Sequence, residues 1–153
     1  MKQRMLKTGA VSVSQPSIFR QPAQQMVSLD DKLADCISDM LDAAPAFHRL
    51  HLKVTGPGSF AQHKALNELY DALPGLVDTV AESYQGAAET ILNYPPSQSL
   101  NFQTVEEAIS YIRMKYDYLT EIQNVMPYSE IVNDIDMIKT LFNATKYKLL
   151  FLK

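Results

Sequence analysis

The chain has 153 residues, 46% of them hydrophobic and 20% charged, with a net charge of −3. That is enough material for one domain with a real core. No run of about 18 apolar residues is present, so a transmembrane helix is not expected. The charged N-terminus is not followed by an apolar stretch, so a secretory leader is not expected either, and a cytoplasmic location is. One cysteine, Cys36, excludes an internal disulfide and a cysteine-rich zinc site. It sits among Leu33, Ile37 and Met40, which predicts a buried, inert thiol.

Residues 1–27 show no sustained hydrophobic period and contain Pro16 and Pro22, and they are expected to form a flexible N-terminal arm. The arm carries Lys2, Arg4, Lys7 and Arg20 and no acid, so a mildly basic tail precedes an acidic body. These four cations are the candidate DNA contacts, because Lys and Arg neutralise phosphates. Residues 28–153 form the expected folded domain.

Ser28 followed by Asp30 and Asp31 is an N-cap with acids in the first turn. Leu29, Leu33, Cys36, Met40, Ala44, Phe47 and His51 then recur at spacings of three and four, predicting one long helix that stops at Thr55-Gly56-Pro57-Gly58. Pro45 lies inside it and is expected to kink it. Asp31, Asp35, Asp39 and Asp42 make an acidic stripe, expected to be a solvated face. A second helix is predicted from about Ser59, with Leu66, Leu69, Leu73, Leu76, Val77, Val80 and Tyr84 as its apolar set and Gly86 as a candidate end. The sequence Asn93-Tyr-Pro-Pro-Ser-Gln-Ser predicts a loop. Thr104 with Glu107 three residues on is a candidate capping box for a third helix, whose stripe is Val105, Ile109, Ile112, Tyr116, Leu119, Ile122 and Met126. After Pro127 the fourth stripe, Ile131, Ile135, Ile138, Phe142, Thr145, Leu149 and Leu152, alternates spacings of four and three as in a bundle seam. Four amphipathic helices with few strand signals predict an all-α, antiparallel four-helix bundle.

The second helix carries a polar stripe as well. At about 100° per residue, with His63 as zero, Asn67 falls near 40°, Asp78 near 60° and Glu82 near 100°, while the apolar set centres near 280°. Imidazole and carboxylate are ligands for iron, manganese or zinc. His63/Asn67 and Asp78/Glu82 are two i, i+4 pairs, but 11 residues of helix, about 16 Å, separate them. Metal–ligand bonds of about 2 Å cannot span that gap. If two copies met with these helices antiparallel about a two-fold axis, the His63/Asn67 half of one would face the Asp78/Glu82 half of the other, giving two equivalent sites per dimer. His51, at the end of the first helix, could join the histidine half, and His48 lies one turn before it.

The segment from His51-Leu-Lys-Val-Thr-Gly-Pro-Gly-Ser-Phe-Ala-Gln-His63 through Asn67 to Asp78-Thr-Val-Ala-Glu82 resembles the Dps family of ferritin-like proteins. The resemblance covers residues 28–86, and more weakly the last helix. It implies a ferritin-like four-helix bundle that assembles from two-fold dimers into a hollow dodecamer. It also implies that the chain oxidises ferrous iron, with hydrogen peroxide as the favoured oxidant, stores the ferric product, and in some members binds DNA through a basic N-terminal arm. By position, the resemblance assigns His51 and His63 as the histidine half of an iron site, Asp78 and Glu82 as the carboxylate half, and Asn67 where the family has an aspartate. Leu52 stands where the family has a tryptophan, and Pro74-Gly75 falls between the two halves, where it is expected to interrupt the second helix. These departures mark a divergent member, of the kind a phage or mobile element carries. They also leave open a second expectation, a ferritin-like structural or assembly protein without ferroxidase activity. No E-x-x-H motif is present, which disfavours a di-iron centre inside one bundle.

Overall fold

The computed structural model describes residues 27–152. Among them are four helices and no strand: α1 (Leu29–His51), α2 (Ser59–Ala88), α3 (Val105–Val125) and α4 (Ser129–Phe151). The arm, with Lys2, Arg4, Lys7 and Arg20, lies outside the described residues. No helix among the described residues is long and apolar enough to cross a membrane.

The helix starts follow from local chemistry. The Ser28 hydroxyl accepts the Asp31 N–H at 3.1 Å and donates to the Asp31 carboxylate at 2.7 Å, so one orphan backbone donor of α1 is satisfied. At α3 the Thr104 hydroxyl accepts the Glu107 N–H at 3.2 Å, while the Glu107 carboxylate reaches back to the Gln103 N–H at 2.7 Å. That is a capping box closed one residue further upstream than the expected pairing. Gly86 does not end α2. The helix runs to Ala88 and stops at Glu89, which adopts a left-handed φ of 51°.

Neither internal proline breaks its helix. α1 continues through Pro45 and α2 through Pro74, so the interruption of α2 expected at Pro74 does not occur. Burial on both sides accounts for this. Ala44, Ala46 and Phe47 around Pro45, and Leu73 and Val77 around Pro74, are all buried, so core contacts on both sides hold each helix together across the missing N–H. The Thr79 hydroxyl adds a hydrogen bond to the Gly75 carbonyl at 2.9 Å just past Pro74.

Contacts fix the topology. α1 packs on α2 and α3, and α4 packs on α2 and α3. Phe47 near the end of α1 meets Tyr111 near the start of α3, and Asp39 further down α1 pairs with Lys115 further along α3; these two helices are antiparallel. Gln123 near the end of α3 bonds the Val132 carbonyl and the Asp136 carboxylate early in α4. Lys148 near the end of α4 pairs with Glu68 near the start of α2. Each of these packed pairs is therefore antiparallel, and the chain runs up, down, down, up. The two middle helices, α2 and α3, are joined by a crossover, residues 89–104, that climbs the side of α1. Gln98 donates its N–H to Asp42 at 2.6 Å, Arg49 donates to the Leu100 carbonyl at 2.8 Å, and Phe102 stacks on Phe47 with ring centres 4.7 Å apart.

The acidic stripe of α1 is not simply solvated. Asp42 holds the crossover, and Asp39 accepts the Tyr111 hydroxyl at 2.6 Å and pairs with Lys115 at 2.8 Å. Burial of Tyr111 and its bond to Asp39 push that phenol far above its usual range. The predicted apolar stripes form the core: Leu33, Cys36, Met40 and Phe47 from α1, Leu66, Leu69 and Leu73 from α2, Ile112, Leu119 and Ile122 from α3, and Ile131, Ile135, Ile138 and Phe142 from α4 are all buried. Cys36 is buried, and desolvation pushes its thiol up to about 12. It stays a protonated, unreactive thiol at neutral pH.

Phe47 links three elements: its own helix, the crossover through Phe102, and α3 through Tyr111. Phe47→Ala is expected to lower unfolding stability by about 3–5 kcal/mol. Urea titration followed by circular dichroism checks this.

Candidate functional site

α1 ends on His51, and α2 opens only eight residues later. The turn between them uses Gly56 and Gly58 at φ of 83° and 78°, a left-handed conformation that glycine adopts without a Cβ penalty. This tight reversal brings His51 and His63 face to face. Their Nε2 atoms are 3.0 Å apart, and His63 Nδ1 lies 3.2 Å from the His51 carbonyl oxygen.

These two contacts determine the proton positions. A carbonyl can only accept, so His63 Nδ1 carries the hydrogen. In neutral His63 the Nε2 lone pair is then the acceptor, and His51 Nε2–H must be the donor. His51 Nδ1 is left with a bare lone pair. It is buried and has no hydrogen-bond partner, in a residue only 6% exposed. An unpartnered buried acceptor costs roughly 1–3 kcal/mol, so the pair holds a basic nitrogen at a standing cost.

The surroundings favour the neutral form of His51. Burial, then the His63 and His48 rings, push the His51 pKa down from its ordinary 6.5. The His48 carbonyl and Asp71 offset part of this, although that carbonyl is not positioned to bond Nδ1. His48 does not join the pair by hydrogen bonding; its ring stacks on Tyr70 with centres 4.1 Å apart. Tyr70 also meets His51 edge-on at 5.2 Å and donates its hydroxyl to the Asn67 side-chain oxygen at 3.0 Å. Asn67 in turn donates to the Asp71 carboxylate at 2.8 Å. The histidine half thus consists of His51, His63 and Asn67, supported by Tyr70 and Asp71. Asp71 was missed in the sequence, although it continues the stripe of His63 and Asn67 by one more i+4 step.

Asp78 and Glu82 lie toward the other end of α2, both exposed. They line a groove of about 300 Å³ with Ile37, Leu41, Gln85 and Tyr94. Tyr94 sits near enough for the Asp78 charge, together with burial, to raise its pKa. Among the described residues, no three His, Cys, Asp or Glu side chains converge as a metal site within one chain. A larger cavity of about 570 Å³ lies between α1, α3 and the crossover, lined in part by Asp35, Asp42, Asp117 and Tyr118; it contains none of the predicted site residues.

A four-helix chain of this topology, with a paired-histidine cluster at one end of α2 and a carboxylate pair toward the other, defines the class. Residues 51–149 match the family described as "Family of unknown function (DUF5856)", and the chain belongs to that family. The matched region begins at His51. The chain is similar to the "Uncharacterized 14.6 kDa protein in mobD-ri intergenic region" of Enterobacteria phage T4, with 32% identity over 117 residues, covering 76% of this chain and 87% of that protein. No solved structure matches the chain.

The depressed His51 pKa has a sign that can be tested. Between the folded-state pKa and the unfolded 6.5, the unfolded chain binds a proton that the native chain does not, so stability rises with pH across that window. In chelator, unfolding stability is expected to be complete above about pH 7 and to fall as the pH drops through 6.5. His51→Phe should flatten that dependence in urea titrations at stepped pH.

Proposed function

We propose that this chain is a ferritin-like, Dps-related protein that binds ferrous iron at sites shared between two copies, with oxidation and storage of that iron as its function. The carrying observation is the His51–His63 pair. Two imidazole nitrogens 3.0 Å apart are close enough for both to reach one ion through bonds of about 2.0–2.1 Å. A neighbouring ring nitrogen is buried and lacks any donor, as suits residues whose protons must rearrange when a metal arrives. The up-down-down-up order with one long crossover is that of ferritin-like bundles, and it supports the same reading.

His51 and His63 would hold the ion from one copy, and Asp78 and Glu82 from the other, since 16 Å or so of helix keeps the two halves of a single chain apart. Imidazole with carboxylate suits iron. Asn67 is neutral and tied to Asp71 and Tyr70. Its role is to orient the Asp71 carboxylate, one turn beyond the position where the resemblance places an aspartate. In the oxidation, two ferrous ions each give up one electron, and one hydrogen peroxide takes both, with two protons, to become two waters. Before iron binds, the proton on His51 Nε2 must move to the unpartnered Nδ1 of the same ring, and because only a neutral imidazole offers a lone pair, binding weakens as pH falls. Assembly from two-fold dimers into a closed dodecamer would enclose the ferric product. DNA contact through Lys2, Arg4, Lys7 and Arg20 belongs to the same reading.

A second reading, a ferritin-like assembly protein without iron oxidation, draws on the neutral Asn67 and on the similarity to a phage T4 protein. Anaerobic ferrous titration followed by a peroxide pulse separates the two. Wild type should bind iron at a fixed stoichiometry and oxidise it well above buffer, and His51→Ala with Asp78→Ala should lose binding by at least about tenfold. Equal behaviour of the two proteins, or oxidation no faster than buffer, favours the assembly reading.

A further inference from the structure

The cavity of about 570 Å³ between α1, α3 and the crossover has no part in the histidine site. Its volume is that of a small-molecule pocket. The walls combine two chemistries. The apolar part comes from Cys36, a fully buried free thiol, from Pro95 and Pro96 of the crossover, and from Met114 and Tyr118 of α3. Met114 is 56% exposed, an apolar side chain left for a ligand to cover. The polar part is carboxylate, strung out along the cavity. Asp35 and Asp42 lie on one face of α1, seven residues and so about 10 Å apart. Because α3 runs antiparallel to α1, with Lys115 at Asp39, Glu121 falls at the Asp35 end. The crossover closes the Asp42 end, where Asp42 accepts the Gln98 N–H.

Two observations define the ligand chemistry. First, the wall already holds one ammonium of the chain's own. Lys115 Nζ, on a side chain 12% exposed, pairs with Asp39 at 2.8 Å and lies 5.7 and 5.6 Å from the ring centres of Tyr111 and Tyr118. A carboxylate with aromatic faces beside it is a setting that stabilises an alkylammonium group. Second, the remaining carboxylates do not converge. Among the described residues, no three His, Cys, Asp or Glu side chains are grouped to hold a metal ion, and no cation pairs with Asp35, Asp117 or Glu121. A metal ion needs several oxygens around one point. Carboxylates spaced along an apolar wall match a cation whose charges are spaced in the same way.

We propose that this cavity binds a linear aliphatic diamine or polyamine. One ammonium is held by Asp35 and Glu121, the other by Asp42, and the methylene chain between them covers Met114 and Tyr118. Asp42 can serve the crossover and the ligand together, because a carboxylate has about four lone-pair sites and its contacts to the Ser97 hydroxyl and the Gln98 N–H occupy two. The site is complete within one chain and independent of iron.

The test uses full-length protein in chelator at about 0.15 M salt, where exposed charges are screened beyond about 8 Å. Isothermal titration with hexamethylenediamine should show saturable binding at one molecule per chain. Ethylenediamine is too short to reach both ends, and hexylamine carries a single ammonium. Each loses one of two linked contacts and should bind at least about tenfold more weakly. Asp35→Asn with Glu121→Gln should weaken hexamethylenediamine at least about tenfold. Glu106→Gln with Glu130→Gln removes the same charge outside the cavity and should leave its affinity unchanged. Met114→Trp fills the mouth without altering charge and should weaken binding too. Equal affinity for the three amines, or an equal loss in the two double variants, overturns the proposal and leaves only general attraction to an acidic surface. Absence of saturable binding to the wild type overturns it as well, as does undiminished binding by a Met114→Trp variant that melts like wild type.

Discussion

A single hydrogen bond between two imidazoles organises the junction of α1 and α2. For His51 Nε2 and His63 Nε2 to lie 3.0 Å apart, α1 must end on its histidine and α2 must begin within one tight reversal. Two glycines in left-handed conformation provide that reversal. The same bond, with the His63 Nδ1–H on the His51 carbonyl, fixes the tautomer of both rings and leaves one nitrogen bare and buried. The arrangement leaves one buried imidazole nitrogen without a hydrogen-bond partner, at a local cost in stability.

The rest of the fold serves to keep that junction rigid. The crossover is strapped to α1 by Asp42, Arg49 and the Phe47–Phe102 contact, so the helix that delivers His51 is covered on its α3 side. Tyr70 connects the stacked ring of His48, the edge of His51 and the amide of Asn67. Asn67 in turn donates to the Asp71 carboxylate one helical turn further on.

Much of this was legible in the sequence, for physical reasons. Core stripes at spacings of three and four are imposed by helix periodicity, and Leu66, Leu69 and Leu73, or Ile131, Ile135 and Ile138, are buried as that period requires. Helix starts were readable because Ser28 and Thr104 act through bonds only three residues long. The continuity of α2 through Pro74 was not, because proline's local cost is set against the burial of distant side chains that no local window contains. The partners of Asp39 and Asp42 were hidden for a similar reason: Lys115 and Gln98 are brought to them by the crossover. At the candidate site, helix spacing put His63, Asn67, Asp78 and Glu82 on one side of α2, but the 3.0 Å approach of His51 to His63 depends on the turn between the helices, which no periodicity describes. Asp71 escaped because its importance comes from Asn67's bond to it.

The central claim is that two copies complete one iron site. Crystals grown with ferrous ion and measured across the iron absorption edge address it directly. The account predicts an anomalous peak bounded by His51 and His63 of one copy and by Asp78 and Glu82 of a second. A structure with no such peak, or with iron held by the side chains of one chain alone, would contradict it.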